Sequence, residues 1–229
     1  MTLICIRQPG YLPYIGFFKK VESSDVFVYL DDTKYVSHGW DNRNKIKTDT
    51  GSMWLTVPIN RNSTEKLMDV LIENNEDWKK KHLRSIQINY QKSPYFKTYW
   101  DSIKNIYDRN CEKLIDLNLS LIEYFNSELN ITTKSLRSSE FNIDNTGSER
   151  LLQICEDLNA DTYLSGSSGH DYLDEKIFQD RGIKVIYENF QHPTYRQKGS
   201  DFIPNMSIID LLFNEGENSK KIISESKNF

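Results

Sequence analysis

A chain of 229 residues fits one domain, or one with a modest subdomain, and can bury a substantial core. Its formal net charge of −4 argues against a nucleic-acid binder, which needs a basic face. No apolar run approaches the roughly 18 residues of a membrane span, and Arg7, Gln8 and Pro9 interrupt the apolar start too early for a secretory leader.

The first element is a short buried strand over residues 3–6, apolar and without alternation. The Pro9-Gly10 and Leu12-Pro13 steps forbid helix until about Tyr14, because proline also pushes its predecessor out of the α region. Ile15 to Ser23 then reads as a helix leading into a strand over 25–30, which makes a βαβ unit. Residues 33–50 are polar and carry little periodicity, and Ser52 to Ile59 is a strand stopped by Asn60 to Thr64. The polar excursion predicts a hairpin or β-arm over a pocket, with another short strand at Leu67 to Ile72. From Trp78 the period changes. Trp78, His82, Ile86 and Tyr90 form one i, i+4 row, and two more amphipathic helices run through Tyr107 and up to Leu129.

Strands are expected at 131–135, 161–165 and 184–187, with helices at 149–158, 172–179 and 207–213. A second βαβ-like unit therefore carries Gly166-Ser167-Ser168-Gly169-His170 at its turn. The polar residues 217–229 read as a frayed tail. The fold class is α/β: a single domain over 1–229 with a mostly parallel sheet, a helical middle segment and a small β excursion. Three widely spaced cysteines, Cys5, Cys111 and Cys155, show neither CxxC spacing nor a disulfide framework, so a cytoplasmic protein is expected.

The polar and aromatic groups that follow the first two strands read as the floor of a ligand pocket, since ligands bind outside the carboxyl ends of parallel strands. Asp31 and Asp32 stand where the second strand ends. Adjacent strand residues face opposite ways, so one of the two is expected in the pocket and the other in structure. Arg7, Arg43 and Lys45 suit a phosphate or carboxylate. The residues Ser167 and His170 sit in a Gly/Ser loop whose backbone can approach a ligand, although Gly166-Ser167-Ser168-Gly169 is neither a P-loop nor a GxSxG elbow. The histidines show no metal-binding spacing, so no metal site is expected, and His82 reads either as a half-buried core residue or as a base.

Long ordered motifs carry a resemblance. Gln8-Pro9-Gly10-Tyr11-Leu12-Pro13-Tyr14-Ile15-Gly16-Phe17-Phe18, Asp25-Val26-Phe27-Val28, Asp31-Asp32 and Trp40-Asp41-Asn42-Arg43-Asn44 open it. Trp54 to Pro58, Trp78 with Lys81-His82, Tyr163 to Gly166, Tyr195, Gln197, Phe202-Ile203-Pro204 and Ser207 to Asn214 continue it. Together they resemble the WbqC-like family over nearly the whole chain. That pattern usually carries a His before Gln-Pro, and Arg7 replaces it here, so any acid–base role of that His is lost or moved.

The resemblance implies a bacterial surface-polysaccharide protein, where transfer of glycine to an amino sugar has been proposed. The expected activity is therefore transfer of a glycyl or other small acyl group to the amine of a nucleotide-activated amino sugar. Catalysis is expected from Asp31, Asp32 and His82, and substrate binding from Arg7, Gln8, Tyr11, Trp40, Asn42, Arg43, Gly166, Ser167, His170 and Gln197. The cofactor is unknown, and the donor stays open among glycyl-tRNA, a thioester, an adenylate and a formyl-folate. Two other classes remain: a non-catalytic sugar- or nucleotide-binding partner protein, and an ATP-dependent amide ligase. The opening layout is also similar to nucleotidyltransferases of the HIGH type, but that motif's histidines are absent, with Phe17-Phe18 after Gly16.

Overall fold

The computed structural model describes residues 1–60, 66–74, 77–199 and 201–227. In chain order the elements are β1 (Leu3–Arg7), α1 (Ile15–Ser23), β2 (Val26–Tyr29), β3 (Arg43–Thr48) and β4 (Gly51–Thr56). Three helices follow, α2 (Trp78–Tyr90), α3 (Phe96–Asp108) and α4 (Leu114–Glu128), and then β5 (Lys134–Arg137), α5 (Gly147–Asp157) and β6 (Thr162–Ser165). The chain closes with α6 (Glu175–Gln179), β7 (Lys184–Tyr187), α7 (Ile208–Glu215) and α8 (Asn218–Glu225).

Five strands form one sheet in the order β5-β2-β1-β6-β7, and each of its pairings is parallel. Their side chains alternate between two cores. Cys5, Phe27, Tyr29 and Leu164 pack toward α1, the α2–α4 block, α7 and α8. Ile4, Ile6, Val28 and Tyr163 pack toward α5 and α6 through Leu152, Cys155 and Phe178. Burial on both faces explains why these strands are apolar without alternation. The chain leaves β1 toward β2 and later returns to β6 on its other side, so the strand order reverses at β1/β6. That is the point in a doubly wound sheet where a crevice opens beyond the strand ends.

The small excursion is the hairpin β3–β4, in antiparallel register with Ile46 opposite Met53. Three local expectations shift. Leu67 to Ile72 is no strand: Leu67–Asp69 is a 3-10 turn, held by Leu67 N–H to the Thr33 carbonyl (2.8 Å) and Met68 N–H to the Asp31 carbonyl (2.7 Å). The strand expected at 131–135 lies later, at Lys134–Arg137, because Ile131 is drawn into the core and Thr133 bonds the Val21 carbonyl. The expected frayed tail is helix α8, whose Ile223 is fully buried and whose Lys220 and Ser224 both bind Glu22 of α1. Of the residues expected to stop the strand, Asn60 to Thr64, those at 61–64 lie outside the described residues, as do the last two of the tail, 228–229. Among the described residues no helix is long and apolar enough to cross a membrane.

Candidate functional site at the carboxyl edge of the sheet

Two cavities open at the ends of β1 and β6, and Arg7 and Gln8 line both. The first, of about 480 Å³, is walled by the β1–α1 loop, the hairpin, the 40s loop and the segment Ile203 to Met206. Its size suits a small organic ligand. Three cations stand in its wall, Arg7, Lys20 and Lys45, and no acidic residue does among the described residues. Tyr11, Tyr14, Phe17 and Trp40 supply the aromatic surface.

The Pro/Gly loop makes this wall by close approach. A Cβ on Gly10 would stand 2.9 Å from the Trp40 carbonyl oxygen, which accepts the Tyr11 N–H at 3.1 Å. Between the prolines Leu12 holds φ at 44°, a left-handed value that a branched side chain seldom adopts. The Asn44 amide fixes it by donating to the Leu12 carbonyl at 2.6 Å, which also ties the hairpin to the loop. At the mouth, half-exposed Trp40 lies 5.4 Å from Trp54, over whose ring Arg43 and Lys45 sit at 4.4 and 4.8 Å.

Lys20 is the unusual group. It comes from the middle of α1, is 1% exposed, and reaches Glu188 just after β7 at 2.8 Å. Glu188 also accepts the Tyr14 hydroxyl at 3.2 Å. Burial, and then the nearby Arg7 charge, lower the Lys20 pKa against the opposing pull of Glu188. The Arg7 guanidinium itself has no carboxylate partner among the described residues, and it lies over Gly166, where a Cβ would meet Nη1 at 2.7 Å.

The second cavity, of about 390 Å³, lies on the other side of Arg7 and is more polar, with Gln8, Thr33, Arg150, Gly166 and Ser168 in its walls. Gly10 and Gly166 thus belong to one edge of the molecule. Gln8 is set by bonds to the Thr33 hydroxyl (3.1 Å) and the Lys34 carbonyl (3.2 Å).

Of the expected binding residues, Arg7, Gln8, Tyr11 and Trp40 line the first cavity, and Arg7, Gln8 and Gly166 the second. Asn42, Arg43, Ser167, His170 and Gln197 are in neither wall. Asn42 is buried between Tyr35 and the Val57 carbonyl, and Arg43 binds backbone carbonyls of its own loop. His170 stacks on Tyr187, with ring centroids 3.4 Å apart. Gln197 is a fastener: it bonds the Ile203 backbone in both directions and donates to Asp210 at 2.7 Å, holding Ile203 to Met206 over the cavity. Tyr14, Lys20 and Glu188 are not among the residues the sequence singles out as a site, since nothing local marks Lys20 apart from its neighbour Lys19.

None of Asp31, Asp32 and His82 lines either cavity. The expected opposite orientation of the aspartates does not arise, because β2 ends at Tyr29 and both carboxylates meet the Ser138 hydroxyl, Asp31 at 3.1 Å and Asp32 at 2.5 Å. Asp31 is wholly buried and accepts from Arg137 Nε (2.7 Å), the Ser139 amide (2.9 Å) and the Ser139 hydroxyl (2.9 Å). Burial by itself would raise its pKa; those bonds outweigh it and hold the carboxyl below its ordinary value. Asp32 pairs with Arg150 of α5. Asp31 so held is a weak base, and the two carboxylates together join β2, β5 and α5. Asp31→Asn is accordingly expected to cost roughly 2 kcal/mol of stability, read as a lower urea midpoint; unchanged stability with loss of ligand binding would contradict this.

His82 sits behind Tyr11, 6% exposed. Its Nε2 reaches the Thr56 carbonyl at 3.1 Å, so that nitrogen carries the proton and Nδ1 accepts the Tyr11 hydroxyl at 2.9 Å. Tyr107 hydrogen-bonds the same hydroxyl. Burial lowers the His82 pKa to about 4. By the same physics burial pushes the Cys5 and Cys155 thiols up to about 12, which disfavours the reactive thiolate at both. Among the described residues no group of three or more His, Cys, Asp or Glu side chains is placed to hold a metal ion.

The model of the WbqC-like protein family matches residues 8–222. A Mycobacterium tuberculosis (strain ATCC 25618 / H37Rv) protein named "Uncharacterized protein Rv1507c" is 34% identical over 220 residues, covering 94% of this chain and 95% of that protein. No solved structure matches the chain.

Proposed function

Since the chain belongs to the WbqC-like protein family, we propose that it transfers a glycyl or other small acyl group to the amine of a nucleotide-activated amino sugar in surface-polysaccharide synthesis. The observation that carries the reading is the pair of cavities sharing Arg7 and Gln8, one aromatic and cationic, the other polar. Two substrates that must exchange a group need adjoining sites with a common wall.

The first cavity fits the nucleotide sugar. Its cations Arg7 and Lys45 suit a diphosphate, and Trp40 offers a flat face to base or sugar. The reaction joins the amine nitrogen to the acyl carbon, and the donor's leaving group departs with its bonding electrons. The ammonium proton must go to a base in the wall. Lys20, its pKa lowered by burial and Arg7, is the group placed to take it as the neutral amine, its own proton having passed to Glu188 at 2.8 Å, in preference to Asp31, Asp32 and His82. Arg7, standing where the family pattern usually has His, holds an anion rather than moving a proton.

Incubating the purified protein with nucleotide-linked amino sugars and activated glycyl donors, with mass-spectrometric detection, tests the reading. The expected product is the sugar nucleotide carrying one added acyl group. Tight binding of the sugar nucleotide without any product from any donor class would identify a binding partner instead, and release of AMP or ADP a ligase.

A further inference from the structure

We infer that the second cavity, between Arg7, Arg150 and the Gly166–Ser168 turn, is a separate binding site for a phosphate group carried by the second substrate. That its occupant is the acyl donor rests on the transferase reading; that it takes a phosphate does not.

Four features converge there. Arg7 lines the cavity with no carboxylate partner among the described residues. Arg150, 9% exposed, lines it as well and shapes the wall; its two terminal nitrogens bind Asp32 and the Ile143 carbonyl, and its Nε is buried away from the cavity space. Gly147 brings in the first turn of the 11-residue helix α5, whose N-cap Thr146 makes no side-chain cap bond, so the leading amides are unclaimed by a cap. Gly166 and Ser168 complete the wall from the end of β6, and the missing Cβ at Gly166 is what lets the Arg7 guanidinium lie across the turn.

A phosphate matches this set better than an apolar or cationic group. The Arg7 guanidinium can bind its oxygens in a planar fork, and a helix start offers N–H groups and a positive dipole end. No acidic residue lines the cavity among the described residues; Asp32, outside the lining, is ion-paired directly with Arg150, which leaves Arg7 as the cation without a carboxylate partner in the wall. The position is also the strand-order reversal of the sheet, beyond the ends of β1 and β6, where doubly wound proteins hold phosphates. The first cavity differs in kind, being walled by rings. The two sites touch only through Arg7 and Gln8, so a phosphate in one and a nucleotide in the other can be bound together.

The test titrates inorganic phosphate into the full chain by calorimetry, with UDP at saturation to occupy the first cavity. Ser168 is exposed and tolerates exchange, so its charge variants serve as probes. Phosphate is expected to bind in the presence of UDP. Ser168→Glu should weaken that binding at least tenfold and Ser168→Lys should strengthen it, while UDP affinity changes less than twofold in either. A structural role for Ser168 would not give opposite effects from opposite charges. Phosphate that is excluded by UDP, or that binds equally to all three proteins, overturns the proposal, as does no phosphate binding at all. Should UDP fail to bind while phosphate binds with this charge dependence, the phosphate site stands and the nucleotide-sugar reading falls.

Discussion

A Lys20→Met variant is expected to lose about 3–5 kcal/mol of unfolding free energy, the cost of leaving the Glu188 carboxylate buried without its cation. Both partners are nearly sequestered, at 1% and 8% side-chain exposure, so solvent cannot take over for the lost ammonium. The same physics predicts recovery. In the double variant Lys20→Met/Glu188→Gln no charge remains to be compensated. The Tyr14 hydroxyl can still donate to the new side-chain amide oxygen, so most of the loss should return. Replacing a buried ion pair by neutral groups is often close to neutral in stability. Activity should behave differently. The double variant folds but has lost its base, and acyl transfer should remain down by roughly a hundredfold, the usual worth of positioned proton transfer. Denaturation and turnover measured on the same three proteins separate the two roles. Wild-type turnover in the double variant would remove the pair from the chemistry, and wild-type stability in Lys20→Met would mean that the pair contributes nothing to the fold.

How far such a site can be read from sequence depends on the range of its contacts. β1, β2 and β6 are legible because a strand buried on both faces must be an apolar run, and Pro9-Gly10 and Gly166 mark their ends. Arg7 is legible for the same reason, as the first polar residue past such a run. The strand β3 is not: Arg43-Asn44-Lys45-Ile46-Lys47-Thr48 has one apolar residue, and its buried Asn44 and Lys47 are covered by distant elements. The Tyr90 hydroxyl, for example, accepts the Lys47 amide proton at 2.8 Å. Lys20 is hidden more deeply, since the partner that explains its burial is 168 residues away. Asp31 and Asp32 look like strand residues in the sequence, whereas the chain has already left β2 and curls both toward Ser138. Local pattern finds the edge of the sheet, but which polar groups share a cavity is decided by pairings across the chain.

The histidine behind the pocket gives the second large effect, as a pH dependence. His82 has its folded-state pKa at about 4, below the ordinary value of 6.5, because burial penalises the imidazolium. Between those values the unfolded chain binds a proton that the folded one refuses, so stability rises with pH through the window. The contribution is complete above pH 6.5, is lost progressively as pH falls toward 4, and amounts to roughly 3 kcal/mol. His192, also shifted downward by burial, adds to the slope in the same region, so the wild-type curve alone does not isolate His82. His82→Gln does. The amide can accept from the Tyr11 hydroxyl and donate to the Thr56 carbonyl, keeping both bonds while removing the titration. Urea denaturation at intervals from about pH 4 to 7.5 should therefore show a shallower acid slope in the variant, by close to one proton. How well the amide packs sets a constant offset between the two curves, and the difference in slope is the diagnostic. Parallel curves would mean that His82 takes its proton in the folded state as readily as in the unfolded one, and that the chain from Tyr107 through Tyr11 to the Thr56 carbonyl is not held closed behind the cavity wall.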